Sequence, residues 1–374
     1  MAAGSLVRSA LKEGARCVDR CANQKPVHRV ARPLKMRWGT KSRLGTALLS
    51  DVHDMIAIRY HEFGHPAEAL KVEDVDVPHP AAGEVLLRMV GRAINPSDLI
   101  PVRGAYKARI SLPQTAGYDG FGVVVEGTQA LKAGTRVVPM AHLGTWQEYV
   151  AVAEAECVPV PDEIPDDYAS QLFINPVSVW LMVRALGLAP GAVVVANAGG
   201  SAAVRFLAQL TGVCQFRLIA IVRRAHHTEE LLRLGAHAVI DSSRQPVAQT
   251  VIALTAGAGA DAGLECVGGR DAVELARGLR SGAPVVQYGL LSGVSPDLAA
   301  IDSLGIRVEG FWLRNWLRSA PASVRTTAAA AVFQIIAEHR FRLDVHETFA
   351  LQDVHRAVRK AETPGLCGKV LLKS

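Results

Sequence analysis

The 374-residue sequence predicts an α/β protein in which an irregular, mostly antiparallel β domain is joined to a doubly wound parallel sheet. Three observations predict it. From Met55 to about Phe173, short apolar runs alternate with Gly, Pro and Asn turns. After Pro176, continuous apolar runs of strand length alternate with helix-like segments on short links. The chain then closes on a helix and the short apolar run "GKVLLKS", which implies a return to the first domain. The expected division is a basic extension at 1–54, a β domain of 55–173 plus 315–374, and a parallel-sheet domain at 174–314.

In the first domain, "MIAIRYHEFGHP" opens on a strand at Met55, and "EVLLRMV" (84–90), "GVVVEG" (122–127) and "TRVVPM" (135–140) follow as strands. In the second, "AVVVAN" (192–197) has the continuous apolar character of a strand covered on both faces. A helix follows with Ala203, Leu207 and Leu210 on one face. Then come "LIAIV" (218–222), a helix at 228–235, "AHAVID" (236–241), another helix, "AGLECVG" (262–268), a helix near 271–280 and "PVVQYG" (284–289). Strand and helix alternate as in a doubly wound sheet. A further helix is expected at 323–339.

Composition narrows the function. Apolar residues are 49% and charged residues 20%, as in a folded chain. The net charge of +6 is unevenly spread: residues 1–50 carry eleven Lys/Arg against Glu13 and Asp19, and the remainder is −3. The folded body therefore lacks the basic footprint of a nucleic-acid binder. No apolar run of about 18 residues suggests a membrane span. The Arg-rich, acid-poor N-terminal segment fits a mitochondrial transit peptide, an over-extended start before Met55, or a basic tail. A bacterial cytoplasm is the expected compartment, and the mitochondrial matrix if the segment is a transit peptide. Six scattered cysteines form no disulfide framework and no paired zinc motif. His61 and His65 flank Gly64 and precede Pro66, which is hostile to a helical ligand pair, so the body is expected to be metal-free.

The turn "NAGGSAAVRF" (197–206) follows the first parallel strand. Its small residues, Gly199, Gly200, Ser201 and Ala202, would let a pyrophosphate approach the backbone at a helix N-terminus. The full G-x-G-x-x-G fingerprint is absent, and a tight turn in any α/β domain is the plain alternative. The next strand ends in Arg223 and Arg224, where NAD sites carry an acidic residue. Arginine there suits the 2′-phosphate of NADPH. "LECVGG" (264–269) and "VVQYGLLSG" (285–293) place small residues at strand ends, where ligands of open parallel sheets lie. In the loop-rich stretch 95–124, Tyr106 lies beside Lys107 and near Arg103. Nearby cations would favour its phenolate and suit a proton donor or oxyanion stabiliser.

Together these stretches resemble the zinc-free branch of the medium-chain dehydrogenase/reductase superfamily, from about Met55 to Ser374. "NPSD" (95–98) stands where zinc alcohol dehydrogenases carry a liganding Cys, and "GYDGFG" (117–122) where they carry Gly-His-Glu. The resemblance implies a GroES-like irregular β-barrel catalytic domain and a Rossmann cofactor domain. "NPSDLIPVRGAY", "LPQTAGYDGFG", "LGTWQEYV", "FINPVSVWLM", "ECVGG", "VVQYGLLSG" and "VEGFWLRNW" look most like the trans-2-enoyl-CoA/ACP reductases of mitochondrial type. Quinone oxidoreductases share less of the last segment.

The resemblance further implies that Tyr106 is catalytic, that Asn175 approaches the nicotinamide, and that Gly200, Ser201, Ala202 and Ala203 contact the pyrophosphate. Arg223 and Arg224 would take the 2′-phosphate. Tyr288, Gly289, Leu290, Leu291, Phe311, Trp312 and Leu313 would line the cofactor and acyl pocket, with Asn95, Trp146 and Trp312 on the substrate side. Lys369 would reach back to the cofactor. The implied reaction is NADPH-dependent reduction of an enoyl thioester by a homodimer, with no nucleic-acid or membrane partner. A quinone or enone reductase and a non-catalytic NADPH-binding protein are the alternatives. One departure stands out: the family's last turn glycine is Val204 here, which is expected to hold the helix away from the strand.

Overall fold

A computed structural model describes residues 54–140 and 144–374. The basic segment 1–54, with Cys17 and Cys21, lies outside the described residues apart from Asp54.

The N-terminal half forms a partly open barrel. β1 (Asp54–Tyr60) pairs antiparallel with β2 (Leu70–Asp76) over its whole length. The long β3 (Glu84–Ala93) alternates contacts with two sheet faces, and seven of its ten residues are buried. Helix α1 (Pro96–Val102) follows it directly, with Pro96 at the first helical position, where no N–H is needed. β4 (Gln114–Thr115) adds to β1; β5 (Phe121–Glu126), β6 (Arg136–Pro139), β7 (Tyr149–Ala153) and β8 (Cys157–Pro159) build on β3.

Helix α2 (Ile174–Leu186) leads out of the barrel and ends at Gly187, whose φ of 56° reverses the chain. Six parallel strands follow. They are β9 (Val193–Ala196), β10 (Arg217–Val222), β11 (Ala238–Asp241), β12 (Ala262–Glu265), β13 (Pro284–Gln287) and β14 (Arg307–Gly310). Their order is β11-β10-β9-β12-β13-β14, a doubly wound sheet with its switch point between β9 and β12. Val194 sits opposite Leu218 on one side and Ala262 on the other. All four residues of β9 are buried, because helices cover both faces. Each such valine stabilises the fold by about 1.5–3 kcal/mol relative to exposure. Helices α3 (Ala202–Cys214) and α4 (Thr228–Leu234) lie between β9, β10 and β11.

The chain then returns. Helix α5 (Ala322–Glu338) packs on α2 and on β8. β15 (Val345–Ala350) and β16 (Lys369–Lys373) join the barrel sheet, with β16 antiparallel to β3 through Leu372 opposite Arg92. The fold is therefore a GroES-like β unit and a Rossmann-type parallel sheet sharing one chain. The largest core cluster runs from Phe121 and Val138 of the barrel through Val177 and Phe206 to Phe333, so one hydrophobic core spans both units. Among the described residues, no helix is long and apolar enough to cross a membrane.

Candidate active site

At the switch point, Asn197 ends β9 and Glu265 ends β12. Asn197 Nδ2 donates to Glu265 Oε1 at 2.9 Å, and the Cys266 N–H donates to Asn197 Oδ1 at 2.9 Å. Glu265 Oε1 also accepts from the N–H groups of Val267 and Gly268, each at 2.6 Å. The two strand ends are thus locked at the edge where open parallel sheets bind ligands.

The glycine turn lies on this edge. A Cβ at Gly199 would stand 2.7 Å from Val222 Cγ1, so only glycine lets the turn lie against β10. A Cβ at Gly200 would stand 2.5 Å from Nε2 of the buried His227. Val204 stands at the position of the last turn glycine. The close approach falls on Gly199 instead, and Val204 is buried in the core with its N–H donating to the Ser201 N-cap Oγ at 3.3 Å. Ser201 and Ala202 are half-buried and Ala203 is buried.

Tyr288 joins the same turn. Burial, reinforced by Cys266 and Glu265 and opposed by Ser201, holds its pKa well above the usual tyrosine value. Burial likewise pushes the Cys266 thiol up to about 12, which keeps it unreactive. Arg223 and Arg224 stand exposed at the end of β10, and neither makes an ion pair among the described residues.

A second polar group is built in the barrel and at the start of α2. Asn95, at the N-terminus of α1, is its hub. Asn95 Oδ1 accepts from Lys369 Nζ at 2.5 Å and from Asn175 Nδ2 at 2.8 Å, while its own Nδ2 donates to Asp119 Oδ2 at 3.1 Å. Both lone pairs of that amide oxygen are used, so its orientation is fixed. Asp119 also accepts from the N–H groups of Phe173 and Ile174, at the start of α2. A carboxylate there complements the helix dipole and sets Asn175 in the first turn. Asp98 accepts from the N–H groups of Asn95 at 2.6 Å and Tyr118 at 2.8 Å.

These charges are buried. Burial, reinforced by Asp119, pushes the Asp98 carboxyl up to about 7 against the pull of its backbone donors and Lys369. Burial raises Asp119 to about 6, against hydrogen bonds from Asn95, Phe173 and Ile174 and the charge of Lys369. Burial lowers the Lys369 amine, and the two carboxylates resist that. One cation faces two carboxyls, so the group can hold or release a proton near neutrality.

Tyr106 lies between α1 and the short turn Lys107–Arg109 and is 40% exposed. The Arg103 guanidinium pairs with Glu362. Tyr118, absent from the sequence-based set, is raised to about 12 chiefly by burial, and Arg314 opposes the shift. Tyr106 is among the groups acting on it, so the two phenols share one region. Leu290, Leu291 and Trp312 are exposed, Trp312 at 62%, while Gly289 and Leu313 are half-buried and Phe311 is buried. Trp146 is corrected as a wall residue. It is 0% exposed in the barrel core, against Gly117, whose Cβ would stand 2.1 Å from Trp146 Cδ1.

The carboxylates and Tyr118 carried one sequence signal, polar residues inside the Gly-rich "GYDGFG" and "NPSD" stretches. Asn197, Glu265 and Arg314 carried none. His61 pairs with Glu73 at 2.5 Å, outside any helix.

Comparison with known proteins agrees with this architecture. Residues 81–162 match the alcohol dehydrogenase GroES-like domain family, and residues 234–372 match the family described as zinc-binding dehydrogenase. The mitochondrial enoyl-[acyl-carrier-protein] reductase of Xenopus tropicalis is 28% identical over 348 residues, covering 88% of this chain and 99% of its own. A solved Bacillus thuringiensis structure, provisionally named an NADPH:quinone reductase, is 40% identical with a TM-score of 0.82, over 86% of this chain and 99% of that one. The Escherichia coli quinone oxidoreductase solved with NADPH shares the fold at 23% identity and a TM-score of 0.79, over 85% and 100% of the two chains. With both sheets matched to families of one architecture and a 40%-identical structure aligned almost from end to end, the chain belongs to the medium-chain dehydrogenase/reductase superfamily, an oxidoreductase family.

Proposed function

We propose that the protein is an NADPH-dependent reductase of the C2=C3 double bond of trans-2-enoyl thioesters carried on CoA or acyl-carrier protein. The observation that carries this reading is the Asn95–Asn175–Lys369 group, whose Lys369 lies two residues beyond Cys367, itself 3.7 Å from the His227 that borders Gly200 of the glycine turn. The enoyl reductases matched over nearly their whole length support the choice of substrate.

The residues present fit a phosphorylated nicotinamide dinucleotide. Gly199 and Gly200 leave no room for a side chain, so the turn presents backbone N–H groups at the N-terminus of α3. Arg223 and Arg224 are two uncommitted cations where a 2′-phosphate needs them. Tyr288 and Ser201 anchor the turn, and Leu290, Leu291, Phe311, Trp312 and Leu313 supply apolar walls. Lys369 and Asn175 hold the nicotinamide end through Asn95. When bound, the cofactor supplies a hydride to Cβ of the substrate. Tyr106 hydrogen-bonds the thioester oxygen as negative charge builds there and delivers a proton to Cα, directly or through water. On this reading 55–173 with 315–374 is the catalytic unit, 174–314 is the cofactor unit, and two copies pair through the edge strand β14.

The test is NADPH oxidation with a medium-chain 2-enoyl-CoA, a 2-enoyl-ACP, and a quinone panel. Faster turnover of enoyl thioesters supports the proposal. Faster turnover of quinones supports the second reading, which the 40% identity to the Bacillus thuringiensis structure favours. NADPH binding without turnover of either would point to a non-catalytic role. Light scattering in solution tests the dimer.

A further inference from the structure

Sequence spacing gives no metal motif in the folded body, yet the fold assembles ligands from two distant segments. His227 and Glu230 lie at the start of α4, beside the parallel sheet. Cys367 lies in the turn that leads into β16 of the barrel sheet. One ligand atom of each lies within 4.8 Å of the others, the one such group among the described residues. Cys367 Sγ stands 3.7 Å from His227 Nδ1. Tetrahedral zinc, with Zn–S of about 2.3 Å and Zn–N of about 2.0 Å, places those two atoms about 3.5 Å apart. Both Glu230 oxygens are held by Arg205, so one must leave the guanidinium to take an ion, and Arg205 then keeps a second carboxylate, Asp344 Oδ2, at 2.8 Å.

We propose that His227, Glu230 and Cys367 form a binding site for a zinc-class divalent cation, which ties the parallel-sheet unit to the barrel. The Cys367 thiol gives its proton to solvent, and the thiolate, the imidazole and the carboxylate take three positions of a tetrahedron with water in the fourth. Cys367 is the exposed one of the four described cysteines, so it is open to ion entry; Cys157 and Cys266 are buried. The site uses none of the residues assigned to the proposed reaction and does not depend on that assignment, although it borders the glycine turn. His227 is seated on Gly200 of the glycine turn, so an ion there also holds that turn to the C-terminal strand.

The experiment is Co2+ titration of the full chain carrying Cys17→Ser and Cys21→Ser, followed by displacement with Zn2+. The expected result is one Co2+ per chain and a thiolate-to-cobalt charge-transfer band that Zn2+ abolishes. Cys367→Ser removes the band, and both Cys367→Ser and His227→Gln weaken binding at least about ten-fold. Zn2+ raises the Tm of the parent and not that of Cys367→Ser. A band that survives Cys367→Ser overturns the proposal, as does equal affinity in the parent and His227→Gln. Metal-free circular dichroism of each variant confirms that it is folded, and failure of one variant to fold leaves the other to decide.

Discussion

Lys369 Nζ lies 2.5 Å from Asn95 Oδ1, so the last strand of the chain closes onto a residue 274 positions earlier. The contact places one amine beside two buried carboxyls, Asp98 and Asp119. Both carboxyls sit above the unfolded value of about 3.9, at about 7 and about 6. Between about pH 4 and about pH 7 the native state therefore binds protons that the unfolded chain has released. Its stability contribution from these groups is full at the acid end and falls as pH rises through the window. Urea midpoints measured from about pH 5 to about pH 7.5 are expected to decline more in the parent than in Asp98→Asn. An identical slope in the two proteins would refute the assignment.

Tyr106 stands on an exposed loop, and its ring is not part of the core clusters. Tyr106→Phe is expected to leave the unfolding free energy within the range of ordinary surface changes, about ±0.5 kcal/mol. The same variant should lose about 10²-fold in kcat on an enoyl thioester, the lower end for removal of a positioned general acid. The KM for NADPH should stay the same. Retention of the full rate would move the proton donor elsewhere, and the buried Tyr118 beside Arg314 is the next phenol to test.

Arg223 and Arg224 are assigned to one phosphate group that NADH lacks. A hydrogen bond from a charged group is worth about 1.5–3 kcal/mol. Replacing both with alanine should lower kcat/KM for NADPH by about 10- to 100-fold and leave NADH unchanged. Both side chains are exposed and unpaired, so folding should not suffer. An equal loss with the two cofactors would remove the arginines from phosphate recognition.

The parts of this molecule legible in its sequence are those set by local pattern. β9 and β12 stand out as strands because both their faces are buried, and an unbroken apolar run records that. The site is less legible because its partners are far apart in sequence. Asp119 acts on the start of α2, 54 residues on, and Asn95 meets Asn175 across 80 residues. His227 meets Cys367 across 140. No spacing rule reports such contacts, so residues such as Asn175 and Lys369 emerge only through family resemblance. Trp146 shows the opposite failure. A motif containing it marks the family correctly, but the indole fills the barrel core rather than an open wall. Val204 misleads for a related reason, since the close approach expected of its position is made by Gly199.

Arg205 shows how an unremarked polar residue can join the two units. It lies one turn into α3, its side chain is 8% exposed, and it pairs with both Glu230 and Asp344. Asp344 lies just before β15, so the pair links the parallel-sheet unit to the barrel. Burial works against the Asp344 carboxylate, but hydrogen bonds from Arg205 and Arg342 outweigh it and hold its pKa below the usual value. Arg205→Met would strand the Glu230 carboxylate and leave Asp344 with Arg342 alone, and the expected loss is about 2–4 kcal/mol in urea unfolding, somewhat less than for a fully buried pair. Because the Asp344 pKa is depressed, its contribution is present above the unfolded value near 3.9 and disappears as pH falls through the native one. The stability gap between parent and variant should therefore be wide at neutral pH and close below about pH 4. A gap that is the same at both pH values would mean that Arg205 acts through packing rather than charge.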